Sequence, residues 1–453
     1  MSVSAAPRID LAGIDDYLAL AAQCVKAGAI EDAIVTLRAA HATAPHHLGV
    51  LSNLGGLLSR QGRHDEALTV LRRALAQTPN AAAAHCNLAV GLRAAEDTAA
   101  AVRHFEEALA RKPDFADAHR GLGDALLDLD RLAEAAAAYN RAVRLRRDPA
   151  RLPTPAPRLH GNRSRLRHDA EQLRYLIGRG ALPAEFEDVA ARYDRVAAFL
   201  WEPSLGAPAA EIPDRLAAMI APTYDRLIHR PSADAIPAGA LNPHLDVGRI
   251  EAGYLNGGRG LCFFDGLLSD EALARLLAFA RESTVWFHHR YGNGYLGAFF
   301  EDGFCCPLLV QIAEELRLAL PRIFGRHPLR RLWAFKYDSR LGGIPLHADA
   351  AAINVNFWLT PDDANRDPAG GGLVVWDRSA PADCDFGRFV KDEAAIRTRL
   401  AENGAKAVAV PYRQNRAVIF DSDLYHETGP LDFRDGYENR RINVTMLFGK
   451  RGR

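Results

Sequence analysis

Residues 45–79, PHHLGVLSNLGGLLSRQGRHDEALTVLRRALAQTP, decide how the first third of the chain is read, because their pattern recurs on both sides. Pro45, Pro79 and Pro113 stand 34 residues apart, and the same step joins Ala33, Ala67, Ala101 and Ala135. It joins Ala40, Ala74, Ala108 and Ala142, and likewise Leu37, Leu71, Phe105 and Tyr139. Leu54, Leu88 and Leu122 make a further register, each followed by a small residue, Gly55, Ala89 or Gly123. One period kept in several registers marks a stacked repeat. Each unit reads as two short helices, with small residues at the close approach and a large apolar side chain in the groove. The proline ends the second helix because it cannot continue the hydrogen-bond ladder.

This pattern resembles the tetratricopeptide repeat family over about residues 12–147, as four units. Such units stack into a curved solenoid with a concave face, so the resemblance implies a protein or peptide partner. The other reading is that the repeats only pair the chain as a homodimer or brace the following domain, and both stand. His41, His46 and His47 fall at a repeat junction and read as solvated loop residues rather than ligands.

Outward from the repeats, residues 148–168 carry Pro149, Pro153, Pro155 and Pro157 among several arginines and read as a linker. Helical spacing returns over 169–245, as from Phe186 to Trp201, without the 34-residue register. The bulk numbers exclude little. With 453 residues there is room for two or three domains, and 48% hydrophobic and 25% charged residues are ordinary for a globular chain. Lys+Arg and Asp+Glu are both 56, so net charge gives no argument for nucleic acid or a membrane surface as partner. The six cysteines, Cys24, Cys86, Cys262, Cys305, Cys306 and Cys384, contain no CxxC pair and read as reduced thiols. Asp10, Asp15 and Asp16 interrupt any apolar N-terminal run, and the expectation is a soluble, cytoplasmic protein.

The last domain, 246–453, has a different texture. Gly260–Phe264 is a short apolar run, and Ser269-Asp270-Glu271 opens a helix with a capping hydroxyl and acids at its positive end. A second helix follows along Leu309, Ile312, Ala313, Leu316 and Leu320. Beyond it come short strand-like runs: Trp333, Phe335 and Tyr337 alternate with Ala334 and Lys336, and Ile353, Val355, Phe357 and Leu359 alternate with Asn354, Asn356 and Trp358. Leu373–Trp376, Ala417–Phe420 and Ile442–Phe448 complete the set. The fold class is therefore a multidomain α + β chain: an all-α solenoid, then a double-sheet jelly roll buttressed by helices.

Within this half lies Pro345-Leu346-His347-Ala348-Asp349. On a strand, residues two apart share a side, so His347 and Asp349 can reach one metal ion. His426 is the third candidate, and two imidazoles with one carboxylate are the facial-triad set that leaves open positions on iron. Arg441 stands on a strand whose alternation puts Arg441, Asn443 and Thr445 on a polar face. An inward guanidinium suits a carboxylate gripped bidentately.

From Trp333 to Arg441 the chain resembles the 2-oxoglutarate and iron(II)-dependent dioxygenases, in particular their prolyl-hydroxylase-like branch. Tyr337, the HxD pair, distal His426 and Arg441 carry the match, together with the opening Cys262–Ser269. The resemblance implies an oxidoreductase with His347, Asp349 and His426 as iron(II) ligands, and with Arg441 and Tyr337 on the 2-oxoglutarate. With dioxygen it would hydroxylate an unactivated C–H bond. Arg440 becomes the anchor if the strand slips by one residue, although Arg441-x-Asn443 stands where the family often has Arg-x-Ser. Asn354 and Asn356 line the cavity or are ordinary strand polar groups. His288, His289, Asp302 and Asp377 read as surface or loop groups, and Trp286 and Trp358 as core. Trp286 with Tyr291, Tyr295 and Phe299 also suits a substrate lid. Three functions follow: a hydroxylase acting on a protein or peptide presented by the repeats, a small-molecule tailoring oxygenase whose repeats recruit a partner, or a non-catalytic repeat scaffold.

Overall fold

The computed structural model describes residues 13–150, 158–200, 209–257, 260–289, 294–338, 341–381 and 392–451. The chain divides into two compact units, residues 1–145 and 146–453.

In the first unit the 34-residue step is kept by the helices themselves. Helices α1 (Ile14–Lys26), α3 (Leu48–Arg60), α5 (Ala82–Ala94) and α7 (Ala116–Asp128) start at that interval, and so do α2 (Ile30–Thr43), α4 (His64–Gln77), α6 (Thr98–Arg111) and α8 (Leu132–Arg147). The small residues sit where the spacing places them. A Cβ on Gly55 would lie 2.5 Å from Leu71 and one on Gly123 2.6 Å from Tyr139, so the large side chain of each second helix packs against bare backbone of the first. Ala33, Ala67, Ala101 and Ala135 are all fully buried at the helix crossings. His41 lies inside α2 rather than in a loop, and His47 caps α3, its Nδ1 accepting from Val50 N at 3.3 Å.

The second unit holds the sheets. Strands β3 (Leu261–Phe264), β4 (Leu296–Phe299), β5 (Leu329–Lys336), β6 (Ile353–Trp358), β9 (Ala417–Asp421) and β11 (Ile442–Phe448) form one sheet in the order β3-β9-β6-β11-β5-β4. A smaller sheet runs β10-β7-β8 from β7 (Leu373–Ser379), β8 (Ala407–Val410) and β10 (Leu424–Thr428). A short pair, β1 (His160–Gly161) with β2 (Ala210–Glu211), stands apart. Every strand pairing is antiparallel. All residues of β6 and β11 are buried, because one face looks into a cavity and the other against packed side chains.

Helix α9 (Arg163–Gly178) begins inside the stretch read as a linker, and residues 151–157 of that stretch lie outside the described residues. It pairs with α10 (Phe186–Phe199) around Leu166, Ala170, Leu173, Ala190, Tyr193 and Val196, while Trp201 lies outside the described residues. Gln172 of α9 donates to the carbonyls of Arg281 and Ser283 at 3.0 and 2.9 Å, which ties α9 to the end of α13 (Asp270–Glu282). Ser269 caps α13, accepting from Ala272 N at 3.3 Å, and α14 (Pro307–Ala319) starts on a proline. Cys24, Cys86, Cys262 and Cys306 are free thiols, and Cys384 lies outside the described residues. Among the described residues, no helix is long and apolar enough to cross a membrane.

Candidate metal centre

His426 lies on β10. His347 lies in an extended segment joined to β10 at a single residue pair, not in a continuous strand. His347 N–H donates to His426 O at 3.0 Å and His426 N–H returns the bond to His347 O at 2.8 Å. Residues that exchange both bonds in an antiparallel pair put their side chains on the same side. The two imidazole centroids are accordingly 4.2 Å apart. Two residues on, Asp349 N–H bonds Ser422 O at 2.9 Å and its Oδ2 comes within 3.5 Å of His426 Nε2. One ligand atom from each of the three lies within 4.8 Å of the others.

The tautomers follow from the backbone. His347 Nδ1 is 2.8 Å from Pro345 O and His426 Nδ1 is 2.9 Å from Leu424 O. A carbonyl only accepts, so each neutral ring carries its proton on Nδ1 and offers the Nε2 lone pair. Burial first, then the neighbouring His426, push the His347 pKa down to about 4, so its lone pair is available at neutral pH. Burial alone would raise Asp349, but its bond to His426 holds its carboxyl low. Two imidazoles and one carboxylate are a donor set suited to a divalent transition metal with open positions.

The centre opens on a cavity between the two sheets, walled by Trp333, Phe335, Tyr337, Asn354, Asn356, Arg441, Asn443 and Thr445 from the large sheet. Leu373, Glu427 and Thr428 face them from the small one. Arg441 is 2% exposed and donates to Gly371 O at 2.6 Å and Gly372 O at 3.4 Å. Its Nη1 is buried with no hydrogen-bond partner, and among the described residues no carboxylate pairs with it. A buried guanidinium without a counter-ion is costly, and an anion entering the cavity would relieve that cost. The Tyr337 phenol lies beside it, raised by burial and therefore a protonated donor.

Arg440 points the other way, bonding Glu171 Oε2 through Nε at 2.9 Å and reaching Asp338 Oδ2 at 3.3 Å. The inner polar face is one network. Asn354 donates to Asp349 Oδ2 (2.9 Å), Asn356 to Asn354 Oδ1 (2.7 Å), and Asn443 and Thr445 both to Asn356 Oδ1 (2.8 and 2.7 Å). Asn354 and Asn356 thus line the cavity, and Asn354 bonds the Asp349 carboxylate directly.

Other expectations change. Asp302 is buried, bonded to His288 Nε2 and Arg147 Nη2, both at 3.1 Å, and His289 is buried between the carbonyls of Phe287 and His160. Neither is a surface group. Trp286 and Trp358 are core. Phe299 belongs to β4 and Tyr295 packs on Phe335 with centroids 5.0 Å apart, so these two extend the sheet instead of forming a lid. Tyr291 lies outside the described residues. Strand parity with Trp333 puts Arg331 on the same face of β5.

Residues 48–114 and 86–151 match family models described as tetratricopeptide repeat, and the chain is a tetratricopeptide-repeat protein over that region. Repeats of this kind suggest an interaction scaffold. A solved MamA structure from MSR-1 is 23% identical over 30% of this chain and 77% of its own, with a TM-score of 0.25. One from AMB-1 is 25% identical over 29% and 78%, also at 0.25. A mutant Thermobaculum terrenum O-GlcNAc transferase is 29% identical over 32% of this chain and 28% of its own, at 0.28. No curated protein matches the chain.

Proposed function

We propose that the sheet-bearing unit is an iron(II)- and 2-oxoglutarate-dependent oxygenase built as a jelly roll, acting on a protein or peptide presented by the repeats. Strand order supports the fold. In a jelly roll the first, eighth, third and sixth strands share one sheet, and the second, seventh, fourth and fifth the other. With β5 first, the His347 segment second and β6 to β11 following, the orders β5-β11-β6-β9 and His347-β10-β7-β8 fit that rule.

The observation that carries the chemistry is that three metal donors and an arginine without a counter-ion face one cavity. His347 and His426 would hold the metal through Nε2 and Asp349 through its carboxylate. Asn354 keeps that carboxylate turned inward. Arg441 and Tyr337 would take the far carboxylate of 2-oxoglutarate, and the aromatic wall of β5 excludes water. Iron(II), when bound with 2-oxoglutarate and dioxygen, supplies the power to hydroxylate a C–H bond: one oxygen atom enters the substrate, the other enters succinate, and carbon dioxide leaves.

The same site suits a small-molecule oxygenase whose repeats recruit a partner. The tetratricopeptide matches favour the non-catalytic scaffold. A direct assay separates the enzyme from the scaffold. Purified protein with iron(II) and 2-oxoglutarate under air is expected to release succinate, and His347→Ala is not. Equal release by both proteins overturns the triad; no release by either leaves the scaffold.

A further inference from the structure

Exposure along the cavity side of β5 rises residue by residue. Tyr337 and Phe335 are buried, Trp333 is half-buried, and Arg331 is exposed. Side chains two apart on a strand share a face, so Arg331 is the next inward position after Trp333. Its partner across β11 is Leu447, at the end of that strand opposite Arg441. This face of β5 is thus buried toward Arg441 and exposed toward Arg331.

Most arginines around the sheets are already engaged: Arg440 by Glu171, Arg416 by Asp265, Arg397 by Glu427 and Glu393. Arg331 has no ion pair or side-chain hydrogen bond among the described residues. Glu427, an acid on the facing wall, is held by Arg397 at 2.5 Å. The Trp333 indole N–H is buried and has no acceptor. Two donors therefore stand at successive cavity-side positions of β5, and among the described residues neither has a hydrogen-bond acceptor. An arginine fork and an N–H in that arrangement fit an oxyanion.

We propose that the molecule oxidised here carries a carboxylate or phosphate, gripped at the cavity mouth by Arg331 and Trp333, with its reacting carbon lying inward of that anion. The inference rests on the oxygenase reading, and names the substrate class for that site. Arg331 and Trp333 are specificity-determining residues in it, distinct from the groups that hold metal and 2-oxoglutarate.

The probes are matched peptide and N-acetyl amino acid sets, Asp, Glu and phosphoserine against Asn, Gln and Ser. Two readouts are taken: stimulation of succinate release, and the rise in melting temperature of the metal-free protein. Acidic members are expected to exceed their neutral partners in both, by about tenfold or more in stimulation, as for a hydrogen bond to a charged group. Arg331→Gln should bring that ratio to about one, and Arg331→Lys should restore part of it. Asp or Glu against phosphoserine tells carboxylate from phosphate. Neutral members acting as well as acidic ones, no acidic member acting in either readout, or an unchanged ratio in Arg331→Gln each overturn the proposal. Succinate release that is absent from the wild type while the melting shift keeps its Arg331 dependence overturns the oxygenase reading alone and leaves the anion site standing.

Discussion

Arg440 and Arg441 are neighbours at the start of one strand, yet they meet opposite surroundings. The first is turned toward α9 and answered by Glu171 and Asp338. The second is turned into the cavity and answered by two backbone carbonyls and no carboxylate. Both are almost fully buried, so burial does not separate them. Strand parity does. On the outer face the chain builds its own counter-ions and the arginine serves packing; on the inner face it leaves one out, and the vacancy is what a ligand would complete.

The strongest way to break this contrast is to replace each arginine by a methionine of similar length. Arg440→Met removes one side of a buried ion pair, and such losses cost about 3–5 kcal/mol. Partial exposure of Glu171 favours the low end, about 3 kcal/mol, read as a lower denaturant midpoint. Arg441→Met removes a buried charge with no counter-ion, so stability should hold or improve. It should instead raise the 2-oxoglutarate concentration needed for half-maximal succinate release, by roughly 100-fold for a lost charge-assisted bidentate pair. Loss of cosubstrate binding in Arg440→Met with a fully folded protein would reverse the two roles.

A smaller effect probes how the inner network holds the Asp349 carboxylate. Asn354 donates to Asp349 and is itself tied through Asn356 to Asn443 and Thr445 on β11. Outer partners of metal ligands typically contribute about 10–100-fold to affinity. Asn354→Leu should weaken manganese(II) or iron(II) binding by that factor in a direct titration, with little change in fold because leucine suits the buried strand. Unchanged affinity would make the asparagines ordinary strand polar groups.

Much of this was legible in the sequence because the signals were local or periodic. The 34-residue step fixes eight helices, and the alternation of Arg441, Asn443 and Thr445 fixes their common face. His347 and Asp349 are two apart, so their convergence needs only an extended backbone. Long-range partners left no such trace. Glu171 lies 269 residues before Arg440, and nothing near either residue announces the pair. For the same reason Asp302 read as a surface acid although Arg147, 155 residues away, covers it. The helices after residue 163 had no assigned surface because their tie is Gln172 to the far end of α13. The fold class within the sheets depends on strand order, which hydrophobic alternation does not encode.

The smallest effect concerns His168, on the outer side of the contrast. It is fully buried, with Nδ1 3.0 Å from Asp169 and Nε2 without a partner. Burial first, then the charges of Lys336, Arg440 and Arg165, push its pKa well below the usual 6.5. The folded protein therefore keeps this ring neutral while the unfolded chain takes a proton below about pH 6.5. Stability from this group is complete above that pH and is lost as pH falls toward the folded value, by at most about 1.4 kcal/mol per unit. Between pH 6.5 and 5.5 the wild type should lose about 1 kcal/mol more than His168→Gln, measured as the difference in denaturant midpoints. Only the slope is diagnostic, since the substitution itself shifts both curves. Equal slopes would mean the ring titrates as in the unfolded chain. A wild type that gains stability toward acid would mean that Asp169 holds the ring as a cation, and that the outer face pairs this charge as it pairs Arg440.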